Sequence, residues 1–456
     1  MTLKYFRFKG LLLKERWLHP AYVGIDSRGI IHYLSDVIPQ EAIAFETVEG
    51  FTLPGFQNAH SHAFQYAMAG LAERHDAGTR DDFWTWREAM YQCALSVDPD
   101  QAEAIAAMLY TEMLRCGYTH VAEFHYLHHD KHGKHYHNLA EMGERMLAAA
   151  HTAGIKITLI PVFYQQGGFG KEPEPRQRRF ISKTIDEYLH LVDDTAHAVS
   201  RHPFARLGFS VHSLRAVKAE DILKTVEQGP AQIPFHIHIA EQKKEVDDCL
   251  AQWNERPAAW LLKNLPVDER FHLIHATHLN DDELNGVLTS SANIVLCPST
   301  EGNLGDGFFR MKDYVHGGGK WCIGTDSHIG LDPLEEFRMI DYRQRLLTHQ
   351  RNTLDGNGAD YLIQAEIENG RKAMGYTEEN YFAIGQSLDA VVYDATMPLL
   401  STTSFKNLLS TIVYAAGAAT PYGTLVDGKW IIKGQHAHMP DIRKKFSAAI
   451  HTLNNR

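Results

Sequence analysis

From Phe51 onward, short runs rich in β-branched residues alternate with longer stretches whose apolar residues recur at helical spacing. That alternation restricts the fold more than any other feature of the chain, because parallel strands need a crossover between them and helices fill that role. The strand runs are Phe51 to Gly55, Tyr118 to Phe124, Ile155 to Phe163, Arg206 to His212, Ile233 to Ile239, Phe271 to Ala276, Asn293 to Cys297 and Trp321 to Thr325. Helical stretches include Gln101 to Arg115, entered through Asp98-Pro99 and stopped by Gly117. Others are Leu139 to Thr152, ended by Gly154, and a long helix around Arg179 to Ser200. Eight such units predict an α/β fold, a (β/α)8 TIM-like barrel with enlarged loops. An open doubly wound sheet, the other architecture built from these units, needs fewer strands.

The chain ends read differently. Tyr22 to Ile25 and Ile30 to Tyr33 flank the turn Asp26-Ser27-Arg28-Gly29. After about Gly385 short strands return at Asp389 to Tyr393, Thr424 to Val426 and Lys429 to Lys433. Both ends are expected to join in a small β-sandwich, residues 1–50 with 385–456, beside a barrel of residues 51–384. An apolar share of 44% and a charged share of 22% provide an ordinary globular core. The net charge of −11 is spread along the chain and offers no basic footprint for nucleic acid. Ile157 to Phe163, among the longest apolar runs, is too short to span a membrane, and Met1 to Trp17 lacks the apolar core of a signal peptide. Five scattered cysteines make neither a disulfide framework nor a CxxC pair, so a cytoplasmic setting is expected.

The chain also carries 28 histidines, and their positions matter more than their number. In a barrel, side chains at the C-terminal strand ends converge on one mouth. The first strand runs into His60-Ser61-His62, whose i, i+2 spacing points both imidazoles to one side. The fifth strand ends at His238, with Glu241 three residues on, a carboxylate placed for proton transfer beside a metal site. His236 reads as a core residue. On the sixth strand His275 or His278 faces the mouth, and position favours His275; the eighth ends at Asp326. Three of these histidines with the carboxylate suit one divalent metal and leave room for a water. The run His125, His128, His129, His132, His135, His137 reads as a solvated loop rather than a second metal site.

This constellation resembles the amidohydrolase superfamily, whose members are (β/α)8 barrels with a small β-sandwich built from both ends. Binuclear members usually carry a bridging Lys or Glu on strand 4; Gly208 to Arg215 has neither, and Lys218 lies beyond, which points to the mononuclear deaminase branch. Nearly the whole chain resembles the formimidoylglutamate deiminases of that branch, bacterial iminohydrolases of histidine degradation. The resemblance rests on His60 to Gln65, Phe83-Trp84-Thr85-Trp86-Arg87, Ala122 to Tyr126, Val211 to Arg215, His275 to His278, Cys297 to Asp306 and Gly324 to His328. Histidines 132, 135 and 137 and the stretch Ala415 to Pro421 depart from the family pattern.

The resemblance implies one zinc, with Fe2+ as the other option, held by His60, His62, His238 and Asp326. It implies Glu241 as proton donor to the imine nitrogen, with His275 and Asp326 handling the attacking water. It further implies hydrolysis of N-formimidoyl-L-glutamate to N-formyl-L-glutamate and ammonia, by a homodimer. A substrate with two carboxylates needs cationic partners, for which Arg215 and Arg87 are the candidates, with Gln65, Tyr126 and His212 as polar contacts. Arg87 has a second reading, a loop ion pair beside Glu88. The alternative activity is a related deaminase acting on an amino-purine or other cyclic amidine, whose flat ring favours a stacking pocket over paired arginines.

Overall fold

The computed structural model describes residues 2–454 except 15, 43, 74–82, 355, 379 and 417–420, with only the backbone described at 83 and 84. Eight parallel strands form the barrel: β1 (Phe56–Ser61), β2 (Tyr118–His125), β3 (Lys156–Phe163), β4 (Phe209–Ser213), β5 (Phe235–Ile239), β6 (Phe271–His275), β7 (Asn293–Leu296) and β8 (Lys320–Ile323). They pair in that order around the sheet. Helices between successive strands cover the outside, so the strands are buried on both faces and read as apolar runs rather than alternating ones.

Closure depends on the join between β1 and β8. The His60 carbonyl accepts from the backbone N–H groups of Thr325 and Asp326, both at 3.0 Å, and Ser61 bridges to Asp326 in parallel register. Asn58 adds a side-chain clasp: its amide donates to Thr325 Oγ1 at 2.7 Å, and its carbonyl accepts from Thr325 N at 3.0 Å. Gly324 lets the strands approach, since a Cβ there would stand 2.6 Å from His60 Cβ.

The first barrel strand is not Phe51 to Gly55. Glu46–Pro54 lies in the second sheet, paired with Lys4–Leu12 and Ala390–Asp394, and β1 begins only at Phe56. Two strands of different sheets are joined by Gly55 alone, so no helix marks the change. The fourth run is also divided: Ala205–Leu207 pairs with β3, and β4 starts beyond Gly208. The second sheet has nine strands drawn from both chain ends and makes the small sandwich domain against the barrel. Lys156 on β3 ties the two together through Asp389 at 2.6 Å and Asp427 at 2.7 Å.

The helix Pro99–Arg115 starts at a capping box in which Asp98 and Gln101 exchange side-chain and backbone hydrogen bonds. It packs against the C-terminal helix Met439–Asn454, an element absent from the strand reading of the tail. Of Ala415 to Pro421, residues 417–420 lie outside the described residues.

At the foot of β1, buried Glu366 accepts from Gln57 N at 2.9 Å while its second oxygen has no partner. Burial pushes this carboxyl up to about 8, against the opposing pull of the Gln57 hydrogen bond. Its folded value therefore lies above the ordinary 4.5, so its contribution to stability is complete below 4.5 and lost as pH rises through about 8. Glu366→Gln keeps an oxygen for Gln57 and removes the titration. The variant is expected to melt higher than the parent at pH 8.5, with a flatter melting curve against pH. Parallel melting profiles for the two proteins would contradict this.

Candidate metal centre

Barrel closure brings His60 and His62 of β1 against His238 of β5 and Asp326 beyond β8. One ligand atom from each of the four lies within 4.8 Å of all the others. His60 Nε2 is 3.1 Å from both His62 Nε2 and His238 Nε2. Asp326 Oδ1 is 3.4 Å from His60 Nε2 and 3.2 Å from His62 Nε2. Tetrahedral ligands with bonds of about 2.0–2.1 Å stand roughly 3.3 Å apart, the spacing seen in this group.

The tautomers support the same reading. His62 Nδ1 donates to the Phe124 carbonyl and His238 Nδ1 to the His212 carbonyl, each at 2.9 Å. With Nδ1 occupied in this way, both rings turn Nε2 inward, and a hydrogen bond from His60 could satisfy only one of them. A cation among the four satisfies the whole set. Burial, followed by the neighbouring His62, draws His60 down to about 3, which keeps it neutral and able to ligate. Burial resists ionisation of Asp326, but His60 and His62 hold it well below the usual carboxylate range.

His275 sits beside this group. Its Nε2 is 3.7 Å from Glu241 Oε1 and 3.7 Å from Asp326 Oδ2, while its Nδ1 is 3.5 Å from Glu301 Oε1. Burial opposes its protonation, yet these carboxylates prevail and raise it to about 10. Burial pushes Glu241 upward, with His275 pulling the other way. The buried Cys297 thiol also approaches His275 and Asp326, and burial holds it well above its ordinary value, hence protonated and a poor ligand. Ala240, His275, Ala276 and Asp326 adopt φ of +51°, +68°, +51° and +46°. Left-handed backbone at non-glycine residues is thus concentrated where these strands end, as at strained functional sites.

A pocket opens over the cluster. His62, Gln65, Arg87, Tyr126, His212, Arg215, His238, Glu241, His275 and Asp326 all line it, and His60, the remaining expected ligand, is fully buried behind them. Trp86, Met90, Tyr91, Tyr164, Phe180 and Leu304 complete the wall. Arg87 donates to Tyr164 Oη at 3.2 Å and lies over Tyr91, whereas Glu88 pairs with Arg176. Gln65 donates to Tyr126 Oη at 2.8 Å, leaving its Oε1 buried without a partner. His278 and Lys218 do not line the pocket, and His236 is a core residue bonded to the Ala373 carbonyl. The loop after β2 departs from expectation: His125, His128 and His129 are buried, and only His132, His135 and His137 are solvated.

Three carboxylates had no role in the sequence reading. Glu123 accepts from Ser61 Oγ at 2.7 Å, Ala63 N at 2.6 Å and Tyr110 Oη at 3.0 Å, clamping the His60–His62 segment on both sides. Glu245 accepts from Ala240 N and Glu241 N and so fixes the turn that carries Glu241. Glu301 accepts from Cys297 N at 2.9 Å and faces His275. Glu123 and Glu301 lie in stretches that carried the family resemblance, but the partners that give them purpose are distant in sequence.

The sequence profile of the amidohydrolase family matches residues 51–431. The chain belongs to the amidohydrolase family. It is 42% identical over 434 residues to the formimidoylglutamate deiminase of Pseudomonas aeruginosa, covering 93% of this chain and 94% of that protein. With the 5-methylthioadenosine/S-adenosylhomocysteine deaminase of Haloarcula marismortui it shares 23% over 399 residues, 86% of this chain and 84% of that one. An amidohydrolase from Brucella melitensis superposes with a TM-score of 0.92 at 38% identity, covering 99% of this chain and all of the other. An adenosine deaminase from Xanthomonas campestris, solved with bound zinc, shares the fold at a TM-score of 0.82 and 19% identity, covering 99% and 98% of the two chains. As a member of this family the protein is a hydrolase acting on C–N bonds.

Glu123→Ala would remove the acceptor shared by three buried donors, Ser61 Oγ, Ala63 N and Tyr110 Oη, beneath the His60–His62 segment. Such losses cost about 1–3 kcal/mol each. The variant is expected to melt well below the parent and to lose metal faster on dialysis, while Glu123→Gln retains more of both. Unchanged melting and unchanged metal retention in the alanine variant would remove Glu123 from the support of the site.

Proposed function

We propose that the protein hydrolyses N-formimidoyl-L-glutamate to N-formyl-L-glutamate and ammonia, a step of histidine degradation. The observation that carries this reading is the presence of two arginines and the metal centre in one pocket: Arg87 and Arg215 line the same cavity as Glu241, His275 and Asp326. A substrate that is a linear amidine at one end and a dicarboxylate at the other needs both halves of this pocket. The 42% identity to the Pseudomonas aeruginosa enzyme supports the same substrate. A flat amino-purine carries no carboxylates for these two arginines to bind.

The reading assigns the residues as follows. His60, His62, His238 and Asp326 hold zinc, and the same set accepts Fe2+. The metal supplies Lewis acidity that activates water at neutral pH. Arg215, whose Nε lies 3.4 Å from Ser213 Oγ, takes one substrate carboxylate as a bidentate pair, and Arg87 takes the other. The orphaned Gln65 Oε1 accepts an amidine N–H, and Tyr126 and His212 complete the polar wall. Asp326 takes the proton from the attacking water, and His275, held between Glu301 and Glu241, orients that water. The new C–O bond forms at the formimidoyl carbon. Glu241 donates its proton to the imino nitrogen, and the proton held by Asp326 then passes to the resulting amino group. The new hydroxyl returns a proton to Glu241 as it becomes the formyl carbonyl, the C–N bond breaks, and nitrogen leaves as ammonia.

Ammonia release by metal-replete protein tests the proposal, comparing N-formimidoyl-L-glutamate with guanine, adenosine derivatives and cytosine. Turnover of the first is expected, with little from the ring compounds. The reverse preference would overturn the assignment. Arg215→Ala is expected to raise KM roughly 10- to 100-fold, the loss of one charged hydrogen-bonded pair, with a smaller change in kcat. An unaltered KM would contradict the carboxylate role.

A further inference from the structure

The loop after β2 and the helix Ile185–Ser200 after β3 bring a second set of ligating side chains together, well apart in character from the pocket. One ligand atom each from His129, His135 and Glu187 lies within 4.8 Å of the other two. His129 is buried, and its Nε2 donates to the Ile181 carbonyl at 2.8 Å. That bond fixes the tautomer and leaves Nδ1 with its lone pair, as in the outer-sphere arrangement of metal-bound histidines. His135 stacks on His129 with ring centroids 4.7 Å apart, and its Nε2 is 2.5 Å from Glu187 Oε1. Glu187 is itself oriented: its other oxygen accepts from Lys183 N at 2.7 Å, and its backbone N–H donates to Thr184 Oγ1 at the helix start.

The loop geometry presents His135 to the other two. Asp130 Oδ1 accepts from His132 N and Lys134 N, each at 2.8 Å, and the Asp130 N–H donates to the Lys134 carbonyl, so the chain turns back just before His135. A surface His–Glu ion pair alone needs two partners and contributes little, about 0–1 kcal/mol. It does not account for a second, buried imidazole stacked on the first with its free nitrogen unprotonated. Two imidazoles and one carboxylate are a familiar donor set for zinc, with water in the fourth position.

We propose that His129, His135 and Glu187 form a second site for a divalent transition metal of zinc type, which clips the histidine-rich loop to the helix Ile185–Ser200. The clipped loop continues directly from Tyr126, which lines the pocket, so metal at the clip would steady that wall without entering the reaction.

Calorimetric titration of metal-free protein with Zn2+ tests this, alongside His135→Ala and Glu187→Gln, both at positions outside the pocket. Two bound ions per chain are expected for the parent and one for each variant, together with loss of the extra thermal stabilisation that excess Zn2+ gives the parent. Ammonia release by the variants should be unchanged at saturating metal. Asp326→Asn, which disturbs the pocket cluster alone, should keep the ion at the clip and so assigns it independently of the proposed reaction. One ion in the parent, or two in either clip variant, would overturn the proposal.

Discussion

The join between β1 and β8 is the interaction on which the rest depends. The carbonyl of His60 receives two backbone donors from Thr325 and Asp326, and Asn58 clasps Thr325 by its side chain. These bonds close the barrel, and in the same stroke they carry Asp326 to the imidazoles of His60 and His62. Fold and chemistry are therefore not separable here. A shift at the seam would open the sheet and also separate the carboxylate from its histidines. Gly324 has no room for a side chain because the backbone and Cβ of His60 occupy that space.

Around this seam a ring of buried carboxylates acts on the groups to which we assign the chemistry. Glu123 clamps the segment between His60 and Ala63, Glu245 fixes the turn before Glu241, and Glu301 faces the far nitrogen of His275. Burying charge is costly unless it is hydrogen-bonded or paired, and each of these accepts at least one backbone N–H. Burial still pushes Glu123 and Glu245 up to about 7. The left-handed backbone at Ala240, His275 and Asp326 lies beside these contacts. The strain is thus held by the same bonds that aim the side chains.

Much of the site could be read from residue type and place on a strand. His60-Ser61-His62, His238, His275 and Asp326 stand at or just beyond the ends of strands, and a barrel turns such positions toward one mouth. The supporting carboxylates could not be read in that way, because Glu123 works through Ser61, some sixty residues earlier, and Glu301 through His275. The misplaced first strand has an equally plain cause. Between Phe51 and Phe56 no polar run or helical stretch marks a boundary, and only Gly55 separates a strand of the second sheet from one of the barrel. The C-terminal helix carries Ile442, Ala449 and Leu453 on its buried face, a helical spacing, but it follows a run of short strands that set the expectation of more.

The central claim is that barrel closure builds one metal centre from His60, His62, His238 and Asp326. An anomalous difference map, recorded at the zinc edge on crystals of metal-replete protein, tests it most directly. The account predicts a strong peak bounded by those four side chains, at about 2.0–2.2 Å from each ligand atom. Full density for the four side chains with no anomalous peak among them, in protein that retains metal and activity, would contradict it.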